Sequence, residues 1–210
     1  GQLRATKNMT MLAQYTSELY SKLEEETGQA TGFKQNGSIS VATDLERFEE
    51  LKRGASMAKC FGLEVQVISP REAGQMHSLL NIDDLEGAVF LPKDGQINPI
   101  DVTQALAKGA KMGGAKIFEG LKVSDILRRK GRAVGVSTDQ GDITSEIVVN
   151  CAGLWGREIG LMAGVNVPLF AAEHFYIVTD EIGLPSSMPV LRDPNGWIYA
   201  KEDAGKMLVG

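Results

Sequence analysis

Residues 147–155 place the strongest constraint on the fold. They read IVVNCAGLW, so a run of β-branched residues is followed by small residues and then by a helical pattern. A continuous β-branched run is typical of a strand that is buried on both faces of a sheet. Small residues at a strand-to-helix turn let the backbone approach a diphosphate, toward which the helix N–H groups point. The segment therefore predicts a strand, a turn and a helix that either hold a nucleotide or form a plain tight turn.

Hydrophobic spacing and capping signals predict five helices along the chain. Asp44 and the capping box Ser69-Pro70-Arg71-Glu72 mark two of the helix starts, and an Asn-Pro pair at 98–99 marks a third. The predicted helices span residues 5–27, 45–61, 69–77, 98–112 and 154–163.

Alternating patterns and turn residues predict the strands. Asn36-Gly37 indicates a hairpin between residues 31–35 and 38–42. The other predicted strands span residues 86–91, 116–119, 121–128, 133–138, 143–150, 175–179, 197–201 and 207–209. Together the elements predict an α/β fold of the mixed α+β kind, with a mixed, largely antiparallel sheet flanked by helices.

Charge and composition exclude several classes of partner. The net charge is −5, and the Lys and Arg residues are scattered, which argues against nucleic acid or an anionic membrane surface. No apolar run approaches the ~20 residues that span a bilayer. Cys60 and Cys151 are predicted to be small buried hydrophobic residues, and His77 and His174 are too isolated for a metal site. A reducing compartment is expected: the cytoplasm or, in a eukaryote, the mitochondrial matrix.

Both ends of the chain predict an internal fragment. The chain opens directly on a helical pattern and stops at Gly210, within the apolar strand 207–209. An unfinished strand leaves backbone groups unpaired and an apolar face exposed, which is costly.

Several stretches resemble the D-amino-acid oxidase superfamily of FAD enzymes. The stretches VVNCAGLW and EHFYIVTD resemble its second flavin-contacting segment, and dimethylglycine and sarcosine dehydrogenases are the nearest members. The similarity also covers GQLRATKNMTMLAQYTSELYSKLEEETG, NGSISVATDLERFEELKRGASMAKCFGLEVQVISPREA and DGQINPIDVTQALAKGAKMGGAKIFEG. The order and spacing of these stretches extend the resemblance over essentially the whole chain.

The resemblance implies an incomplete FAD enzyme. Residues 1–30 and 98–165 would be the remnant of the FAD-binding domain, and residues 31–97 and 166–210 a truncated substrate-binding domain. The family's first motif, strand–GxGxxG–helix, has no match here, and neither has its acidic ribose-binding residue. The histidine that links flavin covalently in dimethylglycine dehydrogenases would lie upstream of Gly1. The chain alone is therefore expected to bind FAD weakly or not at all and to be inactive.

The resemblance also assigns cofactor contacts. Val123 matches a strand residue whose backbone binds the adenine, although an ordinary strand valine would look the same. Residues 1–3 match positions near the isoalloxazine ring, and Gly210 matches the start of the last flavin-facing glycine segment. The full set of expected cofactor residues is Gly1, Gln2, Leu3, Val123, Cys151, Ala152, Gly153, Trp155 and Gly210.

Two residues are expected to be catalytic by resemblance. His174 matches a histidine beside flavin and substrate, and it can tune amine protonation near neutral pH; the alternative is a half-buried histidine satisfied by backbone. Tyr199 matches the strand that carries the family's active-site tyrosine; the alternative is an aromatic core pair with Trp197, which alternates with it on the predicted strand. Tyr176 and Trp197 are weaker substrate candidates. Arg192 could bind a carboxylate, or could be a solvated loop arginine beside Asp193-Pro194.

The implied activity is oxidation of an N-methylated amino acid, such as sarcosine or dimethylglycine, by hydride transfer to FAD. The partners would be a small amine and, in the full-length protein, a folate-binding C-terminal domain. Two alternatives stay open at this point. One is a non-catalytic flavoprotein-like binding module, and the other is a flavin enzyme that acts on a 2-hydroxy acid or glycerol 3-phosphate.

Overall fold

A computed structural model describes all residues from 1 to 210. The helices are α1 (Lys7–Thr27), α2 (Leu45–Cys60), α3 (Pro70–Met76), α4 (Pro99–Met112) and α5 (Gly156–Met162), with a short 3₁₀ helix at Gly153–Trp155. The strands are β1 (Ser38–Ala42), β2 (Gln66–Ile68), β3 (Gly87–Leu91), β4 (Val123–Arg129), β5 (Arg132–Thr138), β6 (Gly141–Thr144), β7 (Ile177–Val178), β8 (Val190–Asp193), β9 (Ile198–Asp203) and β10 (Lys206–Val209). None of the helices combines the length and apolarity that a bilayer span requires.

The predicted capping residues do start their helices. The Asp44 carboxylate accepts a hydrogen bond from the Arg47 N–H at 2.7 Å at the start of α2. Ser69 and Glu72 form a reciprocal capping box on α3. Asn98 accepts from two backbone N–H groups at the start of α4. Each cap satisfies donors that the first helical turn leaves unpaired, so these starts are set locally.

The chain packs as two compact units. The first comprises residues 1–115 and 175–210, and the second comprises residues 116–174. Helices α1 and α4 thus group with the strands of the first unit. The division into cofactor and substrate domains inferred from the resemblance stays a prediction.

A seven-stranded sheet organises the first unit. Its order is β2-β3-β1-β8-β9-β10-β7, and every pair is antiparallel except β1 with β8. The predicted mixed, largely antiparallel sheet is therefore confirmed. Helix α2 packs on one face against Val89 and Leu91 of β3, whereas α3 packs on the other against Ile39 and Val41 of β1. Successive strand residues point to opposite faces of a sheet. Side chains on the same side of the sheet as Val89 and Leu91 therefore lie on the α2 face.

The second unit is smaller. Strands β4, β5 and β6 form an antiparallel sheet, and α5 packs against β4. Arg128 donates from Nη1 to the carbonyl of Ala163 at 3.2 Å, just past the end of α5. A cation at that place complements the unpaired carbonyls of the helix terminus.

The predicted hairpin at Asn36-Gly37 is wrong. Residues 31–35 form no strand, and only Lys34 pairs, with Gln96. The physical reason is that β3 and β8 already occupy both edges of β1. Gly37 does adopt a φ of +81°, but its N–H donates to the Asp94 carbonyl at 2.9 Å.

The predicted buried strand before the 147–155 turn is also wrong. Strand β6 ends at Thr144, residues 145–152 form no strand, and the Ile147 and Val149 side chains are 76% and 73% exposed. The preference of β-branched residues for strands comes mainly from packing against neighbouring strands. No strand of the chain pairs with this segment. Cys151 is exposed together with the segment.

Other predictions need smaller corrections. Cys60 is exposed, because it ends α2 on the side away from the buried Ala58. Residues 116–119 form no strand, and the strand predicted over 175–179 shrinks to β7, whose two residues are exposed. Strands β2 and β8 were not predicted, so Arg192 lies on a strand instead of a loop.

Candidate functional site

One row of the large sheet brings together three of the predicted site residues. Arg192 of β8 pairs with Tyr199 of β9, and Tyr199 exchanges both backbone hydrogen bonds with Gly210, at 2.8 and 3.0 Å. Directly opposite residues on neighbouring strands share a face. Ser40 of β1 pairs with Arg192 and with Val89, so the row lies on the α2 face of the sheet. We call Ser40, Arg192, Tyr199 and Gly210 the polar row.

Gly210 has no room for a side chain. A Cβ built on it would lie 2.6 Å from the phenolic oxygen of Tyr199. The tyrosine ring therefore covers the Gly210 backbone. Tyr176 directly precedes β7, in which Ile177 pairs with Val209. Tyr176, just before β7, and Tyr199, on β9, thus lie on either side of Gly210, which directly follows β10.

The N-terminal residues are tied to the segment that follows β3. The Gln2 N–H donates to Asp94 Oδ1 at 2.7 Å, and the Gln2 side chain donates to the Lys93 carbonyl at 2.5 Å. A Cβ built on Gly1 would lie 3.1 Å from Asp94 Oδ2 and 3.6 Å from Arg192 Nη2. Gly1 is therefore bordered by a carboxylate and by the guanidinium of the polar row. Leu3 packs against the α2 cluster beside Gly54.

A cavity of about 390 Å³ opens beside Gly1 and Gln2. One wall is α1, and another is the segment 94–97. Most of the lining is apolar, while Arg4 and Asp94 contribute charged groups. The volume and the few convergent polar groups are typical of a small-molecule or cofactor site.

In the second unit, the side chain of Asn150 shapes the predicted cofactor turn. It donates from Nδ2 to the Gly156 carbonyl at 2.8 Å and accepts from the Ala152 N–H at 3.2 Å. Gly153 then adopts a left-handed φ of +55°, with nothing within 4 Å of an added Cβ. Cys151 and Trp155 are both exposed at this turn. The turn is compact and its outer surface is open.

The predicted adenine contact also lies in the second unit. Val123 begins β4 and pairs with Thr138 of β5. A separate cavity of about 200 Å³ lies beside Ile126, Asn150 and Gly160, and its lining is mostly apolar. No pairing singles out Val123, so its role stays a prediction.

Trp197 does not have the predicted surroundings, and the alternative of a half-buried His174 is wrong, whereas the predicted catalytic role of His174 stays a prediction. His174 is exposed and ends the second unit, so it is not half-buried. Trp197 precedes β9 and does not share a face with Tyr199, because it adopts a left-handed φ of +56° and is 90% exposed. A bulky residue with that φ is uncommon and strained. The sequence signal for the turn was Asn195-Gly196, which the alternation around Trp197 masked.

Sequence reasoning missed two buried carboxylates in the first unit. Asp94 accepts from Ser38 Oγ at 2.6 Å as well as from Gln2. Glu202 accepts from Lys34 Nζ at 2.8 Å and from the Gly205 N–H at 2.9 Å. Burial raises the pKa of Glu202, but the bonds from Gly205 and Lys34 outweigh it, so its pKa lies below the ordinary value. An isolated acidic residue near a turn gives no sequence signal of such partners.

His77 is another buried titratable group. It follows α3, is 2% exposed, and neither ring nitrogen has a hydrogen-bond partner. Burial lowers its pKa below the usual histidine value. No group of three or more His, Cys, Asp or Glu side chains in the chain could hold a metal ion.

Comparisons with known proteins place this architecture. A mouse mitochondrial pyruvate dehydrogenase phosphatase regulatory subunit is 39% identical over 95% of the chain and 23% of its own length. Mouse mitochondrial sarcosine dehydrogenase is 38% identical over the whole chain and 23% of its own length. The crystal structure of L-proline dehydrogenase from P. horikoshii superposes with a TM-score of 0.88 at 29% identity, over all of this chain and 57% of that one.

The chain thus spans about a quarter of the length of these curated relatives. The resemblance to sarcosine dehydrogenase is confirmed at the level of sequence, and the fold is confirmed by the superposition. A family model described as FAD dependent oxidoreductase matches residues 1–210. The chain belongs to the DAO family of FAD-dependent oxidoreductases.

Proposed function

We propose that the full-length protein that contains this chain oxidises an N-methylated amino acid, of the sarcosine or dimethylglycine kind, at its CH–NH bond. The observation that carries the proposal is the polar row. It sets a guanidinium, a phenol and a glycine without space for a side chain on one sheet face, with Gly1 beside the guanidinium. Such a pair of polar groups can hold a small substrate that carries both a carboxylate and an amine.

The residues present suit FAD. Gly1 offers bare backbone at a cavity large enough for part of a cofactor. The turn at Gly153 exposes backbone in a conformation that favours glycine, with open space around it. We assign the flavin side of the cofactor to Gly1, Gln2, Leu3 and Gly210, and the nucleotide side to Val123 and the turn of Cys151, Ala152, Gly153 and Trp155.

Each chain residue has a defined task in this proposal. FAD, when bound, supplies the acceptor for the two electrons that leave the substrate. Arg192 binds the substrate carboxylate through two parallel N–H donors, which suits the planar geometry of a carboxylate. Tyr199 orients the amine from the neighbouring strand, and Tyr176 limits the space around it. His174 holds or releases the amine proton through its imidazole ring.

The partners and the location are part of the same proposal. The substrate is a small amine, and a folate-binding domain elsewhere in the full-length protein would consume the one-carbon product. The protein works in the cytoplasm or, in a eukaryote, in the mitochondrial matrix, where the two exposed cysteines stay reduced.

Substrate kinetics of the full-length protein test the proposal. The protein should be yellow, and it should bleach when sarcosine or dimethylglycine is added without oxygen. Arg192→Met should raise KM for sarcosine at least about tenfold, the effect of losing a charge-assisted bond, and should change KM for dimethylamine little. Arg71→Met is the matched control, because Arg71 is exposed on α3 at the other face of the sheet. Equal KM values for sarcosine in the two variants would contradict the role of Arg192.

A second candidate function has support of its own. The relative at 39% identity is named a regulatory subunit of a phosphatase. A non-catalytic module on the same fold would keep the sheet and would not need the polar row. If the full-length protein is yellow but never bleaches with any N-methylated amino acid, and Tyr199→Phe leaves partner binding unchanged, this second function is the correct one.

A further inference from the structure

We propose that Asp94 is a positioning residue for the flavin-facing edge of the site. It fixes the backbone of residues 1–3 and keeps a negative charge beside Arg192. This inference rests on the proposed function, because it assumes that Gly1 and Arg192 face flavin and substrate. The role of Asp94 is inferred from its contacts alone and not from the family to which the chain belongs.

The contacts of Asp94 are those of an anchor. Asp94 is buried, with only 3% of its surface exposed. One carboxylate oxygen accepts from the Gln2 N–H at 2.7 Å, and the other accepts from Ser38 Oγ at 2.6 Å. Its own carbonyl accepts from the Gly37 N–H. Asp94 therefore joins the N-terminal segment to the start of β1 through three separate bonds.

The charge of Asp94 lies close to the polar row. Its Oδ2 and Arg192 Nη2 both lie within 4 Å of the point that a Cβ on Gly1 would occupy. A buried carboxylate is costly unless polar groups stabilise it. The donors from Gln2 and Ser38 meet part of that need, and the neighbouring guanidinium adds an attractive field. The carboxylate and the guanidinium thus both border Gly1.

A second set of bonds keeps Asp94 itself in place. Gln96, two residues further on, pairs with Lys34 through two backbone hydrogen bonds of 2.9 Å. The Gln96 side chain donates to the Glu202 carbonyl at 2.9 Å, and the Lys34 ammonium donates to the Glu202 carboxylate at 2.8 Å. The segment that carries Asp94 is thus clamped to β9, the strand of Tyr199. Fixed supports of this kind hold reacting groups in register.

Three variants of the full-length protein separate charge from anchoring. Asp94→Asn keeps an oxygen for the Gln2 N–H and removes the charge. Asp94→Ala removes both, and Ser38→Ala removes only the other hydrogen bond. Asp94→Asn should unfold like wild type, yet the midpoint potential of its bound flavin should become more positive, because a nearby anion disfavours the added electrons. Ser38→Ala should leave the potential unchanged.

Hydrogen exchange gives a readout that does not depend on flavin. The Gln2 amide should exchange about tenfold faster in Asp94→Ala, the factor expected for one lost bond to a charged group, and should stay protected in Asp94→Asn. A wild-type protein that is colourless would overturn the proposed function, but it would not affect the exchange rate of the Gln2 amide. An unchanged potential in a folded, yellow Asp94→Asn protein would overturn the inference alone, as would unchanged Gln2 protection in Asp94→Ala.

Discussion

The Tyr199 phenol lies where the side chain of residue 210 would have to begin, 2.6 Å from a Cβ built on Gly210. The two residues also exchange both of their backbone hydrogen bonds. The glycine and the tyrosine thus act as one unit, in which the position of the ring depends on the absence of a side chain opposite it.

Gly210→Ala should displace that ring. We expect a loss of about 1 kcal/mol in the free energy of unfolding of the full-length protein, at the low end for overpacking because the ring can swing. The loss should vanish in a Tyr199→Ala background, which removes the ring. A double-mutant cycle from denaturant unfolding measures the coupling, and a loss that is the same in both backgrounds would contradict the contact.

Gly54→Ala should stabilise the protein. Gly54 lies within α2 and only Leu3 Cδ2, at 3.8 Å, would meet the added methyl group, which is ordinary contact. Alanine is more favourable than glycine inside a helix by about 0.5–1 kcal/mol. The midpoint of denaturant unfolding should rise by a corresponding amount. A fall in the midpoint would mean that the Leu3 side chain lies closer to α2 than described.

Ala204→Gly should also stabilise the protein, by about 1 kcal/mol. Ala204 and Gly205 form the loop between β9 and β10, with φ values of +52° and +81°. A two-residue hairpin loop needs left-handed residues at both places, and a left-handed alanine is strained by about 1–2 kcal/mol. The same change at Ala110, exposed within α4, is the matched control and should destabilise the protein by a similar amount. Equal signs for the two variants would refute this account of the loop.

The unpartnered His77 predicts a pH dependence of stability. Its folded-state pKa lies below the value near 6.5 of an unfolded histidine. The unfolded state therefore binds more protons between the two pKa values, so stability is full above about pH 6.5 and falls as the pH drops through that window. Denaturant midpoints between about pH 5.5 and 7.5, above the range in which ordinary carboxylates titrate, should show this slope. The slope should be absent in His77→Gln, and an identical slope there would exclude His77 as its source.

Glu202→Gln should weaken the clamp on β9. The variant loses the ion pair with Lys34 and weakens the bond from the Gly205 N–H, so about 1–3 kcal/mol of stability should be lost at pH 7. Because the folded pKa of Glu202 is lowered, its contribution is present above the unfolded value of about 4.5 and is lost as the pH falls through the folded pKa. The wild-type and variant stabilities should therefore approach each other as the pH falls below about 4.5. A difference that stays constant throughout acid titration would show that the shape of the side chain, and not its charge, is responsible.

Local signals predicted the helices well, since the caps at Asp44, Ser69 and Asn98 need only neighbouring residues. The parallel pairing of β1 with β8 could not be predicted, because it joins Ser38 to Val190 with no repeat or turn between them. The same long-range pairing turned Arg192 from an expected loop residue into a member of the polar row.

For residues 147–155, by contrast, a local pattern predicted a strand that does not form. The β-branched residues of the segment predict a buried strand, but Ile147 and Val149 are exposed, because strand formation depends on partner strands that no local pattern specifies. Asp94 was missed for a related reason. An aspartate before a glycine is typical of a solvated turn, and only the tertiary structure brings Gln2 and Ser38 to it.

The turn between β8 and β9 has a length that matters for chemistry. Asp193 pairs with Ile198, and Asn195 holds the turn to Asp44 through a 2.5 Å hydrogen bond. One extra residue in this turn would slide β9 along β8 and bring Ile198 opposite Arg192, because strand side chains alternate. The phenol would then point toward α3, and the guanidinium would face an aliphatic neighbour. Insertions here should abolish the proposed binding of a substrate carboxylate by Arg192 even if the sheet still forms.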